Sequence, residues 1–211
     1  MLEQVRNMPG DILRPAQAYL NDANQYWGHI KRFDKLERLQ HFREPGYPSW
    51  ESFAAGRWDE ALQIMRRDRP AVEDEFAEDF RMGLTSYRVR VVELPVTPYL
   101  QWELYELKVR AECGEGIRVV RREAVARHET DAAVPELIFM DTLAMYEILY
   151  DNTGIQTGGR KFTDPELIKK CLSEVHALYI HGEDLLRFFE REISPLPPPL
   201  VDPEFTSSPG S

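Results

Sequence analysis

The side chains best suited to chemistry in this chain are arginines. Arg88 and Arg90 stand two apart in the run 87–94, and Arg118, Arg121 and Arg122 follow in a second β-branched run. Alternation along a strand puts Arg88 and Arg90 on one face. A planar guanidinium fork suits bidentate recognition of a carboxylate or phosphate. Arg88, Arg90, Arg118 and Arg121, with Trp102 and Asp141, therefore outline a candidate groove for a small anionic ligand. The same arginines could instead be spent on internal carboxylates such as Glu93, Glu103, Glu123 or Asp141.

Other patterns fail on inspection. GIQTGGRK at 154–161 approximates a phosphate loop, but Arg160 separates the last glycine from the lysine, and Phe162 stands where Ser or Thr is needed. A flexible connection is expected there. His29, His41, His128, His176 and His181 form no HExxH pair, and no serine sits in G-x-S-x-G. Cys113 and Cys171 are too few for a disulfide framework or a four-cysteine zinc site. The acidic stretch around Cys113 raises its thiol pKa, and Cys171 reads as a core residue. No catalytic residue, metal ligand or cofactor motif emerges, which leans the reading away from an enzyme.

The elements that must position these residues follow from periodicity. Ala16, Tyr19, Leu20, Ala23, Trp27 and Ile30 recur at helical steps, so 14–43 reads as amphipathic helix, with a kink or a second helix from Phe33, stopped by Pro45 and Gly46. Such an extension could pair with a second copy of the chain. A helix over 58–67 and another beginning at Pro70 come next, the latter carrying Glu73, Asp74, Glu75, Glu78 and Asp79. Strands are expected at 86–94, 117–122, 137–140 and 146–150, with a loop at 123–135 and a turn at 151–154. Thr163 to Glu166 supplies a capping box for a last helix, which Gly182 interrupts. Prolines 195 and 197–199 then enforce an extended stretch, and 203–211 reads as frayed.

The segment 97–113 carries two apolar faces. Thr97 and Pro98 fit its start, and Leu100, Leu104, Leu107 and Ala111 oppose Trp102, Tyr105 and Val109. It should lie between the sheet and the N-terminal helical layer. The fold class is therefore α+β: a small mixed or antiparallel sheet of about four strands packed with helices. The expected division is a helical extension at 1–45, an α+β domain at 46–200 and a flexible tail at 201–211.

Composition sets the outer bounds. Of 211 residues, 43% are hydrophobic and 11% aromatic, enough to build a substantial core. No apolar run reaches bilayer length and no secretory leader opens the chain, so a cytoplasmic protein is expected. The net charge of −10 argues against generic nucleic-acid affinity. That charge is uneven. Residues 71–80 hold five acids and no base, whereas 81–127 hold nine bases against six acids. A basic middle flanked by acidic stretches fits either an anion site or internal neutralisation.

The segments SWESFAAGRWDEAL, RVRVVELPVTPYLQWELY, CGEGIRVV, ILYDNTG and DPELIKKC, with GEDLLRFFEREISPLPPP, resemble a family of uncharacterised actinobacterial proteins catalogued as a domain of unknown function. The resemblance spans about 50–200. Members are often encoded beside helix-turn-helix regulators, which implies a regulatory role with a protein partner such as a transcriptional regulator. The order helix, GIRVV, then an apolar strand ending Met140-Asp141 is also similar to one half of a phospholipase D-like fold. The histidine–lysine–aspartate motif of those enzymes is replaced here by PELIFMDTLAMYE. The expected function is a non-catalytic regulatory or adaptor protein that binds a protein partner. A small-molecule or nucleotide-binding domain using the arginine groove is the alternative.

Overall fold

The computed structural model describes residues 1–130 and 132–201. Its frame is a mixed eight-stranded sheet in the order β1-β7-β6-β5-β2-β3-β4-β8. The strands are β1 Asp11–Leu13, β2 Arg32–Glu37, β3 Thr85–Val92, β4 Gly116–Arg121, β5 Leu137–Met140, β6 Ala144–Tyr150, β7 Gln156–Phe162 and β8 Glu183–Asp184. β2, β3 and β4 run parallel, and the remaining pairings are antiparallel. The sheet is thus mixed, as expected, but twice the expected size. The tail expected to fray at 203–211 lies outside the described residues.

Residues 14–43 are not one helix. A short helix α1, Ala16–Asn24, gives way to β2, which sits near the middle of the sheet between β3 and β5. The helical extension is therefore corrected: β1 and β2 are part of the sheet. The helical reading failed because β2 hides its alternation. Phe33 and Leu36 point to opposite faces, while the positions sharing a face with Phe33 are the charged Lys35 and Glu37. The apolar residues expected to form a free stripe are spent internally: Tyr19, Ala23, Ile30 and Phe33 pack with Met140, Tyr146 and Ile148.

Between β2 and β3 lie helices α2, Pro48–Ala54, and α3, Trp58–Arg81. α3 passes straight through Pro70, where two helices were expected. Pro70 is exposed, so the carbonyl left without its N–H partner is in reach of water. Helix α4, Pro98–Cys113, connects β3 to β4, and Thr97 caps it by accepting from Leu100 N at 3.0 Å. The expected double burial is present. Leu100, Leu104 and Leu107 pack with Ile117 and Val119 and with helix α7, Leu185–Glu192, whereas Tyr99 and Trp102 meet Trp50, Phe53, Ala61 and Met65. The outer layer over α4 is α2 and α3, not the N-terminal segment.

The opposite face is covered by helix α6, Pro165–His181, and by a 3-10 turn at Leu2–Asn7, whose Leu2 and Val5 are fully buried. The cap of α6 is Asp164 rather than Thr163, accepting from Glu166 N at 2.9 Å and Leu167 N at 3.4 Å. The expected loop after β4 opens with helix α5, Arg122–Val125, and a 3-10 turn at Ala126–His128. The glycine-rich segment expected to be a flexible connection is β7. A Cβ on Gly158 would collide with the Leu13 carbonyl oxygen, and one on Gly159 would press within 2.8 Å of the Tyr19 ring. The glycines admit β1 and α1 rather than a phosphate.

Candidate functional site

The carboxyl ends of the parallel strands gather most of the unusual chemistry. Here β2 leads through α2 and α3 to β3 on one side, while β5 lies on its other side.

Arg88 and Arg90 point into the layer beneath α4, and both are buried. Arg88 Nε lies 2.8 Å from Glu115 Oε1, and its Nη1 donates to Glu37 Oε1 at 2.5 Å. Burial alone would raise the Glu115 carboxyl, but Arg88 and Arg110 overcome it and hold that group at about 2. Arg90 is fully buried, with Nε and Nη2 each 2.7 Å from Glu103 Oε2 and Nη1 on the carbonyls of Glu37 and Val91. Burial and neighbouring Arg88 push the half-buried Lys35 ammonium down to about 8. Tyr99 donates towards Glu44 Oε1 at 3.2 Å and Glu103 Oε1 at 3.4 Å. This is a buried ionic array in which each strand arginine meets carboxylates.

One further carboxylate, Glu136, completes the array. Leu36 pairs with Leu137, and one step beyond that pair Glu37 and Glu136 stand opposite each other on β2 and the approach to β5. Glu136 Oε1 accepts from Arg38 N at 2.7 Å and Leu39 N at 2.6 Å. The second oxygens, Glu136 Oε2 and Glu37 Oε2, are both buried without a hydrogen-bond partner. Burial, reinforced by the charge of Glu37 and opposed by Arg90, pushes the Glu136 carboxyl up to about 8.

The six residues singled out from the sequence do not converge. Arg88 and Arg90 are neighbours in the array. Trp102 stacks on Phe53 with ring centres 5.9 Å apart, inside the aromatic cluster. Arg118 is 3.8 Å from Asp184 and 5.6 Å above the Tyr179 ring of α6, on the other face of the sheet. Asp141 sits at the amino end of β2, where its N–H donates to Arg32 O. Arg121 lies at the carboxyl end of β4, its Nη2 3.1 Å from Glu192 Oε1 and its Nη1 buried without a hydrogen-bond partner. Cys113 and Cys171 are both free, and burial raises each thiol, to about 11 for Cys171.

Arg121 opens onto a surface that sequence reasoning missed. A notch of about 330 Å³ is lined by Val92, Glu93, Leu94, Arg121, Arg122 and Glu123. Leu94 also lines a second, larger cavity of about 680 Å³. Its walls are Pro95, Val96 and Pro98 on one side and Leu196 to Leu200 on the other, with Gln101 and Glu192 as its polar members. Gln101 Nε2 donates to Pro197 O at 2.9 Å and anchors the proline wall to α4. Leu94 is 50% exposed and Leu200 90% exposed, so apolar side chains face solvent here. The signal was the spacing of the prolines, which marked an extended wall without saying what stood across from it.

The chain matches the domain of unknown function DUF6879 over residues 21–190. It belongs to that family. The DUF6879 match begins within α1, so it takes in β2, the central strand that the resemblance at 50–200 left out. It also includes both arginine strands, Glu136 and the Leu94 side of the cleft, and it ends within α7 before the proline wall. No curated protein matches this DUF6879 chain. Among the described residues no helix is long and apolar enough to cross a membrane, and no group of His, Cys, Asp or Glu has the arrangement of a metal site.

Proposed function

We propose that this protein is a regulatory adaptor that binds a protein partner through the cleft at the carboxyl ends of β3 and β4. The observation that carries this reading is the meeting of the apolar groove and the arginine notch at Leu94. Exposed apolar surface with a polar rim is the usual composition of a protein contact. Leu94 and Leu200 offer the apolar anchors, and Arg122, 63% exposed, offers a charge for an acidic group beside them. The pairing of Arg88 and Arg90 with carboxylates supports this reading over an arginine-lined groove within the sheet. A transcriptional regulator is the partner class that the resemblance read from the sequence implies.

Site-specific photo-crosslinking tests the proposal. A photoreactive residue at position 94 or 200, introduced in the native host, should give one discrete adduct with a second protein. The same group at exposed Leu20, in α1 on the other side of the molecule's sheet order, should not. Absence of any adduct at 94 and 200, or an equal adduct at position 20, would overturn it. A second reading rests on Arg121, which lines the notch and whose buried Nη1 has no hydrogen-bond partner: a small carboxylate or phosphate there. Such a ligand at about 100 times its dissociation constant would stabilise the protein by about 2.7 kcal/mol. A thermal-shift response to phosphate or malonate that is lost in Arg121→Gln would support it.

A further inference from the structure

The array beneath α4 contains one carboxylate that its neighbours leave uncompensated. Glu37 is ion-paired to Arg88, Glu103 to Arg90, and Glu115 to Arg88 and Arg110. Glu136 is 96% buried, since only 4% of its surface is exposed, and it has no ion pair among the described residues. Its Oε1 is held by two backbone N–H groups, which fixes the carboxyl plane and leaves Oε2 on the side of the array. Arg90 acts on it through its charge alone: its Nε and Nη1 are taken by Glu103 and two carbonyls, and its Nη2 is ion-paired to Glu103 but makes no hydrogen bond. A buried carboxylate without a counter-charge is costly, so it must be protonated or meet a cation.

We propose that Glu136, with Glu37 opposite, anchors a binding site for a small organic monocation bearing N–H donors, a protonated amine or a guanidinium. The charge ledger fits one positive charge. Glu37, Glu44, Glu103, Glu115 and Glu136 face Lys35, Arg88, Arg90 and Arg110, leaving one carboxylate in excess when all are ionised. The hydrogen-bond ledger fits as well, because Glu37 Oε2 and Glu136 Oε2 are two acceptors waiting for donors. Tyr150 comes from β6 near both carboxylates, and its ring lies tilted against Phe42 with centres 4.8 Å apart. Aromatic faces of this kind favour an organic cation over a hydrated metal ion. His41 stands edge-on to Tyr99 at 5.4 Å on the same side. Lys35, Glu37, Glu44 and Tyr150 each keep part of their surface exposed at this edge, while the two Oε2 atoms lie buried behind them. The site is separate from the Leu94 cleft and does not depend on partner binding there.

In this site the cation replaces the proton of Glu136, so binding at neutral pH releases a proton. Calorimetry of the full chain with butylguanidinium or butylammonium chloride tests this, with butanol and potassium chloride as controls. At least one cation should saturate at one per chain, with a heat that differs between phosphate and Tris buffers because a proton is released. Glu136→Gln should weaken that binding at least about tenfold and abolish the buffer dependence while circular dichroism stays unchanged. Glu37→Gln, which leaves Glu136 in place, should weaken binding too and serves if the first variant does not fold. Failure of both cations to saturate at about 10 mM, an equal response to potassium chloride, or unchanged binding in both variants would overturn the proposal.

Discussion

At the scale of single residues, the interior face of the sheet is held by ion pairs where a hydrophobic layer would be ordinary. Arg90 is fully buried against Glu103, so removing either partner strands the other. Arg90→Met alone should cost about 3–5 kcal/mol in urea denaturation, whereas Arg90→Met with Glu103→Leu should recover most of that loss. Glu136 has a different signature. Its folded carboxyl titrates near 8, far above the ordinary 4.5, so the folded state holds a proton that the unfolded chain releases. Its contribution is therefore fully present at low pH and declines as pH rises from about 4.5 to about 8. The slope of stability against pH in that window should lose up to one proton, about 1.4 kcal/mol per pH unit, in Glu136→Gln. Denaturation midpoints at pH 5 and pH 8 for the two proteins check the sign. Glu115 runs the other way: its carboxyl, depressed to about 2, adds stability above the unfolded value that is lost only as pH falls towards 2.

At the scale of elements, glycine replaces side-chain packing where β7 receives its neighbours. Gly158→Ala should push β1 off the sheet, because the added methyl group meets the Leu13 carbonyl oxygen. Hydrogen exchange should rise at Asp11–Leu13 while Tyr87–Val92 remains protected. This crowding also explains what was legible in the sequence. β3, α4, β4, β5, β6 and α6 announce themselves through β-branched runs, a Thr97 cap or helical stripes that match how they are buried. β2 and β7 do not, since one half-buries Lys35 and Glu37 and the other buries glycines. Of the array, Arg88, Arg90 and the candidate partner Glu103 were legible. Glu136 was not, because its partner across the sheet lay in a segment that reads as helix. Leu94 to Val96 and the prolines after Ile193 were visible separately, but only the tertiary fold brings them together around one cavity.

At the scale of the whole molecule, the acidity resolves into neighbours. The arginines of β3 are neutralised by carboxylates from α4, β2 and the α4–β4 turn, so the basic middle of the sequence is internal complementarity there. The adaptor reading belongs to this scale, since Leu94→Asp should abolish partner capture at the cleft while leaving the melting temperature within the range of ordinary surface changes. The arrangement of β1 and the 3-10 turn at Leu2–Asn7 has one more consequence. Residues 1–13 are made before the two elements they need: β7, with which β1 pairs, and α6, on which Leu2 and Val5 pack. Leu2 and Val5 therefore stay bare through most of synthesis, and closure of the domain waits on contacts spanning some 150 residues of chain. A nascent chain stalled ahead of Gln156 should bind chaperones and be cut readily by protease. One released beyond Ile193 should become resistant in a single late step.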